Sequence, residues 1–333
     1  MRKIFSIVLL VVGLGFLYGC SREDVNDADF VRNLGEKVNQ LTEYRVDAVM
    51  EIVKEEEGSV VYDLVIEFMN PDFYKITLRN RENNNVQVIL KNETGVFVLT
   101  PALNKSFRFQ SDWPNNSSHA YLLQSVYRDL INDSNSAITS DSRHFFAESR
   151  VNHKTNNRLV SQRAIFDRNT LLPREVTVFD SRREAALIVT FGVFNETPGL
   201  TRLDFDLERT NLTVRLELGE GSANFTEREI LMPNYVPAGV FLESQTTTET
   251  KSIKFFDGEL NFTVVQEFRE PSTVLSTARL FGNPVMLYQT VGAATANSLT
   301  WFHNGIEYMI FSTILPLEEK IRIANSFIFG MET

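Results

Sequence analysis

Residues that could carry out acid–base or metal chemistry are few in this sequence and lie far apart. The four histidines stand alone, and none is at metal-ligand spacing from another histidine or from the single cysteine: His119, His144, His153 and His303. This scatter argues against a zinc site, which needs several converging ligands. Asp204 and Asp206 would share one face of a strand, where two carboxylates could bind a cation or act as acid and base. Ordinary solvated charges on a strand are the alternative.

The sequence also lacks the short motifs of nucleophilic and nucleotide chemistry. It contains no GxSxG elbow, no HExxH motif and no phosphate-binding loop. The segment beginning at Gly219 starts like a dinucleotide fingerprint, but Asn224 replaces its third glycine, so we interpret it as a linker. His303 directly precedes Asn304-Gly305 and is interpreted as part of a hairpin turn. We therefore expect neither an enzyme nor a bound cofactor.

Cys20 is the only cysteine of the chain, and it follows a short apolar segment near the amino terminus. Arg2 and Lys3 precede the apolar run Ile4 to Leu17, which has the length of a signal peptide and is too short to span a bilayer. The run ends in Leu17-Tyr18-Gly19-Cys20, which resembles the bacterial lipobox.

The resemblance to a lipobox implies a diacylglyceryl group on the thiol and cleavage before it. Residues 1–19 would then be a lipoprotein signal peptide and residues 20–26 a lipidated tether. An ordinary secretory signal or an uncleaved anchor with an incidental cysteine is the alternative.

Composition limits the other classes of partner and the sources of stability. With one cysteine the chain can form no internal disulfide, so its 333 residues, 43% of them hydrophobic, must be stabilised by burial. The net charge of −10, without a basic stripe, argues against nucleic acid and against electrostatic docking on anionic lipid. We expect membrane attachment through the acyl group on Cys20 instead.

Hydrophobic periodicity predicts a mainly β protein of two domains. Apolar residues at three- and four-residue steps predict a helix from Asp27, and alternation predicts a long antiparallel meander from Val46 to Gln110. A second helix is predicted over 120–131, followed by four more strands, and a last helix begins at Pro316. Gly- and Pro-containing sequence near 219–236 separates a domain at 27–225 from a smaller α+β domain at 232–333.

Phenylalanine is unusually frequent: the chain has 26, against nine tyrosines and two tryptophans. Many rings lie in or beside the first meander, where they could wall an apolar cavity for an acyl chain. Plain packing of a core between sheet and helix is the alternative, because both arrangements require the same alternation. The candidate cavity residues are Phe68, Phe73, Tyr74, Phe97, Phe107, Phe109 and Trp113.

The order of elements, a helix, a long meander, a helical lid and further strands, resembles the LolA-like fold. The segments "MNPDFYKITL" and "NETGVFVLTPALNKSFRF" resemble strand pairs of that family. Their sequences are similar to those of sporulation and germination lipoproteins of spore-forming Gram-positive bacteria. The carboxy-terminal part, from "PNYVPAGV" through "LTWFHNGIEYMIFS" to "EEKIRIANSF", resembles a domain of unknown function in such proteins. The two-part layout is similar to RseB-type periplasmic regulators.

The resemblance implies a curved antiparallel half-barrel covered by helices, which binds lipid chains or a lipidated protein in an apolar hollow. It also implies a lipid-anchored protein on the outer face of the cell membrane, or at the outer membrane of a double-membraned cell. An RseB-like regulator that binds a protein through its carboxy-terminal domain, and a structural envelope protein, are the alternatives.

Overall fold

The computed structural model describes residues 27–54, 58–153, 158–218 and 230–327. These residues form a twelve-stranded sheet, a seven-stranded sheet and four α-helices. The predicted fold class is confirmed: a mainly β protein with a large helix-covered sheet and a separate smaller sheet domain.

The first sheet is antiparallel except at one edge. Eleven of its strands follow one another along the chain, and the twelfth comes from much later in the sequence. The strands, numbered along the chain, are β1 (Glu43–Val53), β2 (Ser59–Met69), β3 (Phe73–Asn80), β4 (Val86–Asn92), β5 (Gly95–Thr100), β6 (Lys105–Phe109), β7 (Ala137–Ser140), β8 (His144–Arg150), β9 (Leu159–Asp167), β10 (Pro173–Asp180), β11 (Ala185–Phe191) and β15 (Ser276–Leu280). Their spatial order is β15-β6-β5-β4-β3-β2-β1-β11-β10-β9-β8-β7.

Helices cover the first sheet on both faces. On one face, which we call the α1–α2 face, lie α1 (Asp27–Gln40) and α2 (Leu123–Asn132). Phe30 and Leu34 of α1 and Val126 of α2 belong to the same buried cluster as alternate residues of β1 to β3. The two predicted helices are confirmed, although α2 begins at Leu123 rather than at residue 120.

The opposite face, which we call the α3 face, is covered by a helix that the sequence patterns did not predict. A 3₁₀ helix (Arg202–Phe205) leads into α3 (Leu207–Leu218), and Phe205 and Val214 pack against alternate residues of β3 to β5. The prediction that Asp204 and Asp206 lie on a strand is therefore wrong.

Both carboxylates instead bind the ends of these helices. The Asp204 carboxylate accepts hydrogen bonds from the backbone N–H and the hydroxyl of Thr201, each at 2.8 Å. The Asp206 carboxylate accepts from the backbone N–H of Arg209 at 2.8 Å. Asp204 thus completes a capping box with Thr201 at the start of the 3₁₀ helix, and Asp206 caps the start of α3 by pairing an N–H that the helix itself leaves free.

The second sheet is antiparallel and has the order β12-β13-β14-β19-β18-β17-β16. One of its faces packs on α4 (Leu317–Asn325), with Trp301, Tyr308 and Phe256 in the buried cluster. The Asn304-Gly305 turn joins β18 and β19 as predicted, with positive φ at both residues. The strands are β12 (Phe241–Thr247), β13 (Lys251–Asp257), β14 (Phe262–Phe268), β16 (Gly282–Met286), β17 (Val291–Thr295), β18 (Ser298–His303) and β19 (Ile306–Phe311).

The two sheets share one buried cluster. Val291, Ala293 and Phe302 of the second sheet pack with the residues of the α1–α2 face, and the rings of Phe302 and Phe107 stack with centroids 5.2 Å apart. The strand β15 belongs to the carboxy-terminal part of the chain but pairs in parallel with β6 of the first sheet, with Ser276 opposite Lys105. The division into domains at 27–225 and 232–333 stays a prediction.

A buried amide links the sheets at the centre of this contact. The side-chain oxygen of Gln87, Oε1, accepts hydrogen bonds from the Thr290 hydroxyl at 2.8 Å and from the backbone N–H of Val291. The Gln87 amide nitrogen donates to the carbonyl of Val291 at 3.2 Å. Because Gln87 is 3% exposed, water cannot replace these partners without opening the interface.

We predict that Gln87→Ala destabilises the protein by about 1–3 kcal/mol, because the buried N–H of Val291 loses its acceptor. Chemical denaturation of the purified protein measures the change. The control is Gln289→Ala, at the partly exposed rim of the same interface, where Gln289 pairs with Asn83 and Glu82. It should change the unfolding free energy by less than about 0.5 kcal/mol. Equal effects of the two variants would contradict the assignment.

Candidate functional site

The seven predicted cavity rings are all buried, but they lie on two different faces of the first sheet. Five belong to the α1–α2 face: Phe68, Tyr74, Phe107, Phe109 and Trp113. Phe73 and Phe97 belong to the α3 face.

The separation follows from strand geometry. Phe73 and Tyr74 are neighbours in β3, and successive side chains of a strand point to opposite faces. Phe73 packs against Phe205, with ring centroids 5.4 Å apart. Phe73 and Phe97 therefore cannot line the same hollow as the other five rings, and the seven residues do not form a single site.

On the α1–α2 face, four aromatic rings form a continuous band. The ring of Tyr44 is 5.3 Å from Phe68, Phe68 is 5.0 Å from Tyr74, and Tyr74 is 5.8 Å from Trp113, all between centroids. At these separations the rings contact one another. Phe107 lies on the same face but on β6, apart from this band, and its ring stacks on Phe302. That these rings accept an acyl chain stays a prediction.

Polar atoms lie buried beside this aromatic band. Gln124 accepts a hydrogen bond from the Tyr44 hydroxyl at 3.0 Å. The Gln124 amide nitrogen and the Nε2 atoms of His119 and His153 are buried without a hydrogen-bond partner within the described residues. Such unsatisfied polar groups are uncommon in protein interiors.

Burial keeps the nearby histidines neutral. It lowers the pKa of His119 to about 3, with a further contribution from the neighbouring His153, and it lowers the pKa of His153 to about 4. Burial raises the pKa of the Asp129 carboxyl to about 6. His303, at the hairpin turn, is also buried rather than exposed at the tip, and its pKa falls to about 3.

An open polar cleft of about 570 Å³ lies away from the rings, at the carboxy-terminal end of α1. Its lining combines residues of α1 with the β9–β10 turn and the loop after β11: Asn33, Glu36, Lys37, Gln40, Asn169, Thr170, Leu171 and Glu196. Lys37 and Glu196 form an ion pair at 2.6 Å across it. This lining is polar and suits hydrogen-bonding groups rather than an acyl chain.

Sequence reasoning missed the residues that join the two sheets, chiefly Gln87, Thr290 and Phe302. A signal for Gln87 was present, because it interrupts an otherwise apolar run, "VQVIL", in a strand. A single amide in such a run must find a buried partner. Phe302 carried no comparable signal, since its ring resembles the other core phenylalanines.

Two segments discussed from the sequence lie outside the residues that the structure describes: the one that contains Cys20 and the one that begins at Gly219. Within residues 27–54, 58–153, 158–218 and 230–327, no three His, Cys, Asp or Glu side chains converge as metal ligands. No helix of that part of the chain is long and apolar enough to cross a membrane.

No protein-family model matches the sequence. The chain is, however, 36% identical to the sporulation protein YdcC of Bacillus subtilis (strain 168) over 329 residues, which are 96% of each chain. The chain belongs to the YdcC family. The predicted resemblance to sporulation proteins is thereby confirmed. The similarity extends across both sheets of this chain.

The solved structures that are similar to this chain share much less of its sequence. The MucA/MucB complex of Pseudomonas aeruginosa contains a chain 12% identical to it, with 90% of this chain and 97% of that chain covered and a TM-score of 0.33. A LolA-superfamily protein, NE2245 from Nitrosomonas europaea, is 8% identical, with 54% and 98% covered and a TM-score of 0.32. Scores this low do not transfer a function.

The depressed histidine pKa values predict that acidification destabilises the protein. Between pH of about 6.5 and 4 the unfolded chain binds protons at His119 and His153 that the folded chain excludes, so the unfolding free energy falls as pH falls. The raised pKa of Asp129 opposes this fall in the unfolding free energy over the same pH range. It involves one group, against two histidines.

Replacement of one of these histidines tests the effect. His119→Gln should make the fall shallower by up to about 1.4 kcal/mol per pH unit, measured by denaturation between pH 7 and pH 4. The control Gln124→Ala changes a neighbouring side chain that does not titrate and should leave the slope unaltered. If both variants keep the slope of the original protein, His119 is not excluded from protonation in the folded state.

Proposed function

We propose that this chain is a lipid-anchored protein of sporulation that acts outside the cytoplasmic membrane by binding a protein partner. The sporulation role rests on the relationship to YdcC, whose name gives that role. The anchor rests on the lipobox-like sequence Leu17-Tyr18-Gly19-Cys20. The extracytoplasmic location follows from the same signal sequence.

The observation that supports binding by a surface is the shared core of the two sheets. The Phe107–Phe302 stack and the Gln87 hydrogen bonds connect the sheets through buried groups. Such a connection holds the surfaces of both sheets in a defined relative position, as a docking protein requires. The carboxylates that could suggest catalysis have structural roles instead, because Asp204 and Asp206 both accept hydrogen bonds from backbone N–H groups at helix starts.

A genetic experiment tests the role in sporulation. We expect deletion of the gene in its own host to lower the number of heat-resistant spores, and the intact chain to restore it. A deletion strain that sporulates at the normal level would show the proposal to be wrong. Restoration by Cys20→Ser to the same level would show that the anchor is dispensable.

We predict that Cys20→Ser moves the protein from the membrane fraction to the aqueous phase of a detergent partition. Two acyl chains hold a protein stably in a bilayer, since each buried methylene contributes about 0.8 kcal/mol, and serine cannot receive them. The matched control is Ser21→Ala, which changes the next residue and should leave the protein in the membrane. Identical partition of both variants would mean that the thiol carries no lipid.

Binding of an acyl chain is a second candidate function, and the band from Tyr44 to Trp113 favours it. This band lies on the α1–α2 face, beside the unsatisfied groups of Gln124 and His119, where a ligand could contact both rings and polar atoms. Mass spectrometry of lipid extracted from the purified protein tests it. Bound lipid should be present and should decrease in Trp113→Ala but persist in Trp301→Ala, a buried tryptophan of the other sheet. Extracts free of lipid would rule this candidate out.

A further inference from the structure

One face of the second sheet is covered along only part of its width. The face opposite α4 carries Val291, Ala293 and Phe302, which are buried against the first sheet. These residues lie on β17 and β18. The same face continues across β19, β14, β13 and β12, where its side chains are partly or strongly exposed.

We call this uncovered part the open face. Three of its phenylalanines are strongly exposed: Phe241 at 58%, Phe255 at 42% and Phe311 at 46%. The strand register places Phe255 and Phe311 in one row, each directly opposite Thr263. Phe241 is opposite Asp257, which shares a face with Phe255 because the two residues are two apart in β13.

The next row of the open face is also apolar. Ile253 lies opposite Val265, and Val265 lies opposite Met309; all three are partly exposed. The row continues through Thr300 to Ala293, both buried at the contact with the first sheet. The open face is thus continuous with an established interface of aromatic and aliphatic side chains.

Acidic residues are frequent around the open face: Asp257 lies on it, Glu243 lies at the bulge of β12, and Glu249 and Glu259 lie in the loops next to β13. Glu243, Glu249, Asp257 and Glu259 are exposed and form no ion pair within the described part of the chain. Farther along the face, Glu267 and Glu307 are both paired with Arg269, at 2.7 Å and 2.6 Å. Lys251, on the same face of β13, pairs with Glu267 at 3.8 Å, so acidic residues outnumber basic ones along the rim on the side away from the first sheet.

We propose that the open face is the docking site for a protein partner whose surface carries apolar side chains bordered by lysine or arginine. Exposed apolar patches with a polar rim mark interaction sites, and opposite charges at the rim favour the correct partner. A second copy of the chain would bring two acidic rims together. Anionic lipid would be repelled by the same carboxylates. The proposal deepens the proposed function by naming the surface and the chemistry of its partner.

Photo-crosslinking in intact sporulating cells tests the site on the full-length, membrane-bound protein. The photoreactive p-benzoylphenylalanine is placed at position 255, and the control position is 281, where Phe281 is 79% exposed outside the open face. We expect a protein adduct from position 255 and none of the same mass from position 281. The cross-linked peptide of the partner should contain lysine or arginine beside apolar residues.

A charge-reversal variant tests the rim separately. Glu243→Lys with Asp257→Lys should reduce the adduct at position 255 by about tenfold, because like charges at an interface weaken binding by at least 1.4 kcal/mol. The thermal unfolding midpoint shows that the variant folds. An adduct with a second copy, an adduct with lipid, no adduct, or a protein adduct unaffected by charge reversal would each overturn the proposal.

The outcome for this site is separate from the outcome for the proposed function. If deletion of the gene lowers spore number but position 255 forms no adduct, the docking site is wrong and the role in sporulation stands. If an adduct forms but deletion leaves spore number unchanged, the role in sporulation is wrong and the docking site stands. Phe255→Ser with Phe311→Ser, compared with Phe281→Ser, should then abolish the adduct from a second probe at position 241.

Discussion

Gln87 is a buried amide that finds several of its hydrogen-bond partners in another sheet, and this constraint determines how the two halves of the molecule meet. Its carbonyl oxygen and its amide nitrogen both bond to residues 290–291, so the second sheet cannot slide or rotate without leaving an unpaired polar group in the interior. The stack of Phe107 on Phe302 adds apolar area at the same place. Together with the pairing of β15 and β6, these contacts set the relative position of the surfaces on the two sheets.

The central strands of the first sheet are buried on both faces, and this explains the high phenylalanine content without requiring a cavity for all the rings. Phe73 and Phe97 fill the layer beneath α3, while Tyr74 and Phe109 belong to the buried cluster on the opposite face of the sheet. A sheet covered on both faces needs twice as many apolar positions as one with a solvated face. In β4 and β5, accordingly, most side chains are buried whichever face they lie on.

Much of the fold was predictable from local pattern, and the failures have physical causes. Alternation located β1 to β6, and the stripe containing Phe30 and Leu34 located α1, because each pattern reflects one buried face. The helix Leu207–Leu218 was not predicted, because leucine and valine alternate with polar residues in "LTVRLEL" as they would in a strand. The carboxylates of Asp204 and Asp206 at the helix starts nevertheless favour a helix. Long-range pairings, such as β15 with β6 and Gln87 with Val291, leave no periodic signal. For the candidate site, sequence located the rings but could not assign their faces across different elements.

The parallel pairing of β15 with β6 has a consequence for how the molecule is made. The ribosome completes β6 at Phe109, yet the strand that covers its edge ends only at Leu280. Until then the amino-terminal half has an unprotected backbone edge, able to pair with a strand from a neighbouring chain. The nascent protein therefore has a long interval of vulnerability to aggregation, which ends when this late segment returns.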